Sequence, residues 1–76
     1  MPSQSLSDIP AGKTVRLISI EGGRQLTRRL LSLGITIGSE LEILHHRGHG
    51  VVIGQNGNRV ALGRGIAEKI KAEKVD

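Results

Sequence analysis

Short runs of branched aliphatic residues, separated by glycine, dominate this chain of 76 residues. Residues 14–21 alternate apolar and polar positions, so Val15 and Leu17 share one face of a predicted strand. Residues 39–46 repeat this alternation, with apolar and charged side chains on opposite faces. Both runs are typical of strands that are buried on one side only.

Two further short strands are predicted at residues 51–54 and 59–62. Asn56-Gly57 lies between them, and this dipeptide is typical of a two-residue hairpin turn. A closing strand is expected at the end of the chain, after one helical turn at residues 66–70. About five short strands with glycine-rich turns predict a mainly β fold, a small barrel whose closure removes exposed strand edges.

One amphipathic helix is predicted at residues 24–33, between the first two strands. Leu26, Leu30 and Leu33 follow the spacing of one helix face. Gly34 then stands where a left-handed helix cap favours glycine. We expect this helix to cover the open end of the barrel with its leucine face.

The turn after the helix, residues 35–38, carries Ile35 and Ile37, which we expect to enter the core. Gly38 is expected to let the chain turn sharply into the next strand. Gly34 and Gly38 are therefore predicted to be structural residues.

The composition excludes several classes of protein. The chain has no aromatic residue and no cysteine, so base stacking, an aromatic-lined proline groove and a thiolate metal site are not expected. No segment resembles a signal peptide or a membrane span. We predict a cytoplasmic protein with a flexible N-terminus at residues 1–7 and a single domain at residues 8–76.

The three histidines, His45, His46 and His49, are the candidate metal ligands. Neighbouring strand residues point to opposite faces, so only one of the first two could join His49 on a metal. No cysteine or suitably placed carboxylate completes the set. No cofactor is expected, and weak binding of Fe²⁺ or Zn²⁺ is the alternative.

No catalytic group is predicted. Ser19, Ser32 and Ser39 lack a histidine and a carboxylate at a spacing typical of a triad. Glu40 and Glu42 lie on the outer face of a strand, which is typical of solvated charges. The sequence therefore does not indicate an enzyme or a small-molecule substrate.

The outer face of the predicted helix indicates a protein contact. Leu31 lies away from the leucine stripe and close to Arg24 and Arg28. An apolar residue with a basic rim is typical of an interface anchor. The alternative is that the N-terminal segment around Leu6 and Ile9 covers Leu31.

The order of these features resembles the FeoA family of ferrous iron transport proteins. The matching residues are the Leu6-x-x-Ile9-x-x-Gly12 segment, Leu30-x-x-Leu33-Gly34-Ile35, Gly38, Ala61-Leu62 and Ala67-x-x-Ile70. The resemblance implies an SH3-like β-barrel with an inserted helix. It also implies a cytoplasmic accessory role, with docking on the cytoplasmic or G domain of FeoB, a membrane ferrous-iron permease.

Two other functions stay open at this point. Small SH3-like barrels also bind nucleic acid, although the modest net charge of +4 does not favour that partner. The same fold occurs in iron-dependent repressors, so a metal-responsive regulatory domain is the other alternative.

Overall fold

The computed structural model describes residues 3–48 and 50–75. The elements, in chain order, are β1 (Gln4–Ser5), a 3-10 helix (Leu6–Asp8), β2 (Thr14–Ile20), α1 (Gly23–Ser32), β3 (Glu40–Arg47), β4 (Gly50–Gln55), β5 (Asn58–Leu62), α2 (Arg64–Ala67) and β6 (Ile70–Lys74). The strands form one antiparallel sheet in the order β1-β6-β2-β3-β4-β5. The mainly β class, the inserted helix and the short C-terminal helix are confirmed.

The closed barrel that the sequence predicts is not formed by strand pairing. β1 and β5 are the outer strands of the sheet and do not pair with each other in the described part of the chain. Helical segments lie between the two sides of the sheet instead. α2 contacts β4 and the 3-10 helix, and the 3-10 helix contacts β6.

The N-terminal segment is part of the sheet from Gln4 onward. Gln4 and Ser5 pair with β6, and Leu6 is completely buried. The Ser5 hydroxyl donates to the carbonyl oxygen of Glu68 over 3.0 Å. The flexible N-terminus predicted for residues 1–7 is therefore wrong from Gln4 onward, because Leu6 anchors the segment in the core. Residues 1 and 2 lie outside the described part of the chain.

Helix α1 ends in a left-handed cap of the Schellman type. The N–H of Gly34 donates to the carbonyl oxygen of Leu31, and the N–H of Ile35 donates to that of Leu30, each over 2.9 Å. Gly34 has a φ of +82°, which confirms its predicted capping role. Leu30 and Ile35 are both fully buried, so the cap brings two core side chains together.

Two of the predicted core positions, one at this cap and one in the loop after it, are wrong. Leu33 is 47% exposed and Ile37 is 60% exposed, although the sequence pattern placed both in the core. Leu33 occupies the C-cap position, where the backbone has left helical geometry, so the helical spacing no longer sets its direction. Gly38, with a φ of +92°, donates its N–H to the carbonyl oxygen of Leu17 and ties the loop to β2.

Each of two strands carries an extra residue that breaks the simple alternation. Ile18 lies between two register positions of the β2–β6 pair, and Leu44 does so in the β3–β4 pair. Leu44 contacts the position of Gly54, where an added Cβ would come within 3.2 Å of its side chain. The bulge at Leu44 lies between the first half of β3, where exposed and buried residues alternate, and its exposed second half.

The core is entirely aliphatic. Burying each leucine, isoleucine or valine side chain stabilises the fold by about 1.5–3 kcal/mol. The core residues are Leu6, Ile9, Val15, Leu17, Leu30, Ile35, Leu41, Ile43, Val51, Ile53, Leu62, Ala67, Ile70 and Ala72.

The outer face of the sheet carries an ion triad across three strands. Arg16 of β2 lies opposite Glu40 of β3 and Glu73 of β6. Its guanidinium nitrogens lie 3.0 Å from Glu40 Oε2 and 3.5 Å from Glu73 Oε1. Glu40 is thus a partner in a structural ion pair.

Candidate partner-binding surface

The outer face of α1 carries the three residues predicted to bind a partner. Arg24, Arg28 and Leu31 follow one another at intervals of four and three residues, so they lie on the same side of the helix. All three side chains are exposed, and Leu31 is 59% exposed. The half-buried Leu26 and the buried Leu30 lie on the other side, against the sheet. We call Arg24, Arg28 and Leu31 the docking face.

The alternative in which the N-terminal segment covers Leu31 does not fit the structure. Leu6 and Ile9 are buried in the core, with exposed fractions of 0% and 1%. Ile9 is held there by β3, because its carbonyl oxygen lies 2.7 Å from Nε2 of His46. Leu31 therefore remains exposed next to its two arginines.

Further exposed aliphatic residues lie at the end of α1, in the loop after it and on β2. Leu33 and Ile37 are exposed at the end of α1 and in the loop after it, and Ile18 is 40% exposed on β2. The hydrogen bond from Gly38 to the carbonyl oxygen of Leu17 brings the loop beside Ile18. Sequence reasoning missed these residues because it placed Leu33 and Ile37 inside. The Leu-Gly-Ile cap signal could have identified Leu33 as a cap residue and not a core residue.

The helix is basic as well as apolar. Its sequence carries Arg24, Arg28 and Arg29 and no acidic residue. Among the described side chains, no ion pair neutralises any of these three arginines. An unpaired basic surface favours an acidic partner.

The histidines do not form a cluster of metal ligands in the described residues. Groups of three or more His, Cys, Asp or Glu residues that could hold a metal are absent from residues 3–48 and 50–75. His46 Nε2 must donate its proton to the carbonyl oxygen of Ile9, because a carbonyl oxygen only accepts. That nitrogen is therefore not available to a metal. His45 is exposed on β3, and His49 lies outside the described residues.

Comparison with known proteins places the chain in a family. Residues 4–74 match the model of the FeoA domain. A protein of Methanocaldococcus jannaschii named "Putative Fe(2+) transport protein A" is 37% identical over 65 residues, which are 86% of this chain and 79% of that protein. No helix of the described residues is long and apolar enough to span a membrane.

Solved structures agree with this assignment. The crystal structure of an iron uptake regulatory protein, FeoA, has a TM-score of 0.87 and 28% identity, covering 99% of this chain and 100% of that one. A manganese-dependent transcriptional repressor also has a TM-score of 0.87, with 25% identity, over 97% of this chain and 42% of the repressor. The family model, the relative and the shared fold agree, and this chain belongs to the FeoA family.

Proposed function

We propose that this protein is a non-enzymatic, cytoplasmic accessory protein of ferrous iron transport that docks on the cytoplasmic domain of a FeoB-like permease. Membership of the FeoA family supports the transport context. The observation that supports the docking step is Leu31, a leucine that is 59% exposed and follows two arginines on the outer face of α1.

The chemistry of the docking face defines what the partner must offer. A leucine on a rigid helix can fill an apolar pocket of a partner, where water is excluded and the gain from burial is large. Arg24 and Arg28 lie beside this anchor, on its N-terminal side, and match carboxylates at the rim. We therefore expect the permease domain to present a small apolar pocket with acidic residues at its edge.

The test is calorimetric binding to the purified cytoplasmic domain of a FeoB-like permease. Leu31→Asp should weaken binding by about thirtyfold or more, since loss of a hot-spot residue costs about 2 kcal/mol. The melting temperature should not change, because the side chain is exposed. A melting temperature that falls together with the affinity would show that Leu31 is a core residue. Unchanged affinity would place the docking site elsewhere.

Ala11→Asp is the matched control for the introduced charge. Ala11 is exposed in the turn before β2, whereas α1 follows β2. The strand between them spans roughly 20 Å, so this aspartate lies far from the docking face. The control variant should bind the permease domain as the unchanged protein does.

The two alternative functions, a nucleic-acid-binding module and a metal-responsive domain, are tested by adding duplex DNA or metal ions. Binding to duplex DNA would weaken with a log–log salt slope of about −0.9 for each phosphate contacted. A metal-responsive domain would bind its partner more tightly after addition of Mn²⁺ or Fe²⁺, an alternative favoured by the fold shared with part of a manganese-dependent repressor. We expect neither a steep salt slope with DNA nor a metal requirement for docking.

A further inference from the structure

A second surface of α1 forms a groove with α2 and with the segment that joins α2 to β6. The groove has a volume of about 420 Å³. Gln25, Leu26 and Arg29 line it from α1, and Gly65, Ile66 and Lys69 line it from the opposite side. Arg29 lies about 160° around the helix from Leu31, so this groove is separate from the docking face.

The groove has an apolar floor and a basic rim. Leu26 and Ile66 are half-buried and pack against the aliphatic core. Arg29 and Lys69 are exposed above them, from the two sides. An added Cβ at Gly22 would lie 3.3 Å from Lys69 Cδ, so the aliphatic stem of Lys69 lies along the α1 side of the groove.

The rim of the groove carries positive charge without a matching carboxylate. None of the lining residues is acidic. Neither Arg29 nor Lys69 forms a salt bridge with another described side chain. A ligand that fits this chemistry supplies both an anion and an aliphatic group. Gln25 adds an amide, which can donate to and accept from a peptide group.

We infer that the groove binds a peptide segment in which a carboxylate side chain stands beside branched aliphatic side chains. The aliphatic side chain rests on Leu26 and Ile66, and the carboxylate pairs with Arg29 and Lys69. Charge complementarity favours this occupant over a neutral apolar segment, because two cations would otherwise lose water without a partner. The inference does not depend on the docking face.

The test uses the acetylated, amidated peptide Gly-Leu-Glu-Ile-Gly and the same peptide with Gln in place of Glu. Amide NMR spectra of the full chain should show shifts at Gln25, Arg29 and Lys69 at millimolar concentrations of the Glu peptide. The Gln peptide should bind about tenfold more weakly, as loss of a good charge pair predicts. Equal affinity for the two peptides, or the absence of shifts in the groove, would overturn the inference.

Two variants of the groove test its positive charge and its free volume separately. Lys69→Glu should weaken binding of the Glu peptide about tenfold, whereas Lys13→Glu, at an exposed turn before β2, should not. Gly65→Leu should block binding by filling the groove. An added Cβ at Gly65 meets no atom within 4 Å, so the fold should tolerate the leucine. Leu31→Asp should bind the peptide normally. Full binding by both Lys69→Glu and Gly65→Leu would contradict the proposed site.

Discussion

Ile35 and Leu30 are joined at the end of α1 by both backbone and side chain. The N–H of Ile35 donates to the carbonyl oxygen of Leu30 over 2.9 Å, and both side chains are fully buried. This pair explains the Leu-x-x-Leu-Gly-Ile pattern of the sequence. The first leucine and the isoleucine enter the core, the glycine makes the left-handed turn, and the second leucine remains outside.

Two neighbouring leucines of α1 should therefore respond in opposite ways to truncation. Leu30→Ala should lower the free energy of unfolding by about 2–5 kcal/mol, because it leaves a cavity in the core. Leu31→Ala should change it by no more than about 0.5 kcal/mol, because that side chain is exposed. Urea unfolding of the two variants measures the difference. A loss of similar size in both variants would contradict the exposed position of Leu31.

The fold should not tolerate even the smallest substitution of the cap glycine, Gly34, without a loss of stability. Gly34→Ala should destabilise the fold by about 1–2 kcal/mol, since residues other than glycine adopt a left-handed backbone at that cost. An added Cβ there comes no closer than 3.8 Å to Gln55 Oε1, so the cost arises from the backbone and not from a clash.

Gly65→Ala is the matched control for this change. Gly65 lies in α2 and has open space at its Cβ position. Alanine is expected to be neutral or to stabilise the fold by up to about 1 kcal/mol, mainly by restricting the unfolded chain. Thermal unfolding measures both variants, and a Gly34→Ala protein as stable as the unchanged one would disprove the left-handed cap.

His46 should have a structural role that His45 lacks. His46→Ala removes the hydrogen bond to the carbonyl oxygen of Ile9, so it should cost about 1 kcal/mol. His45→Ala, one residue earlier on the same strand, should leave the free energy of unfolding within about 0.5 kcal/mol of its starting value. Chemical denaturation of both variants provides the measurement, and equal effects would argue against the bond.

Metal binding by the histidines should be weak. Nε2 of His46 is occupied as a donor, which leaves only Nδ1 of that ring for a metal. The described residues hold no group of three or more His, Cys, Asp or Glu side chains that could surround a metal ion. Calorimetric titration with Fe²⁺ and Zn²⁺ should therefore give dissociation constants no tighter than the millimolar range. A micromolar site that disappears in His46→Ala would show that His46 is a ligand.

The local sequence pattern predicts most of the strands but not how the sheet ends. Alternation identifies Val15, Leu17, Leu41 and Ile43 as inward residues, and Asn56-Gly57 is the turn of the β4–β5 hairpin. Whether the outer strands pair depends on contacts between distant parts of the chain. The helical segments that lie between β4 and β6 make such contacts, and the local sequence pattern does not predict those contacts.

The surface residues were harder to predict than the core. The helical period correctly separates Leu31 from Leu30, because both lie within regular helix. It fails for Leu33, which lies at the cap, and for Ile37, which lies in a loop. The groove beside Arg29 and Lys69 escaped prediction because its two sides are about 40 residues apart in sequence.

The ion pairs of Arg16 with Glu40 and Glu73 favour the observed register of β2 over a shifted one. The side chains of a strand alternate between its faces, so a slip of β2 by one position would bring Arg16 to the aliphatic interior and carry Val15 or Leu17 into water. The same slip would separate the guanidinium from both carboxylates at once. Charge on the solvent side therefore adds to the penalty that the displaced aliphatic side chains already impose on a misaligned sheet.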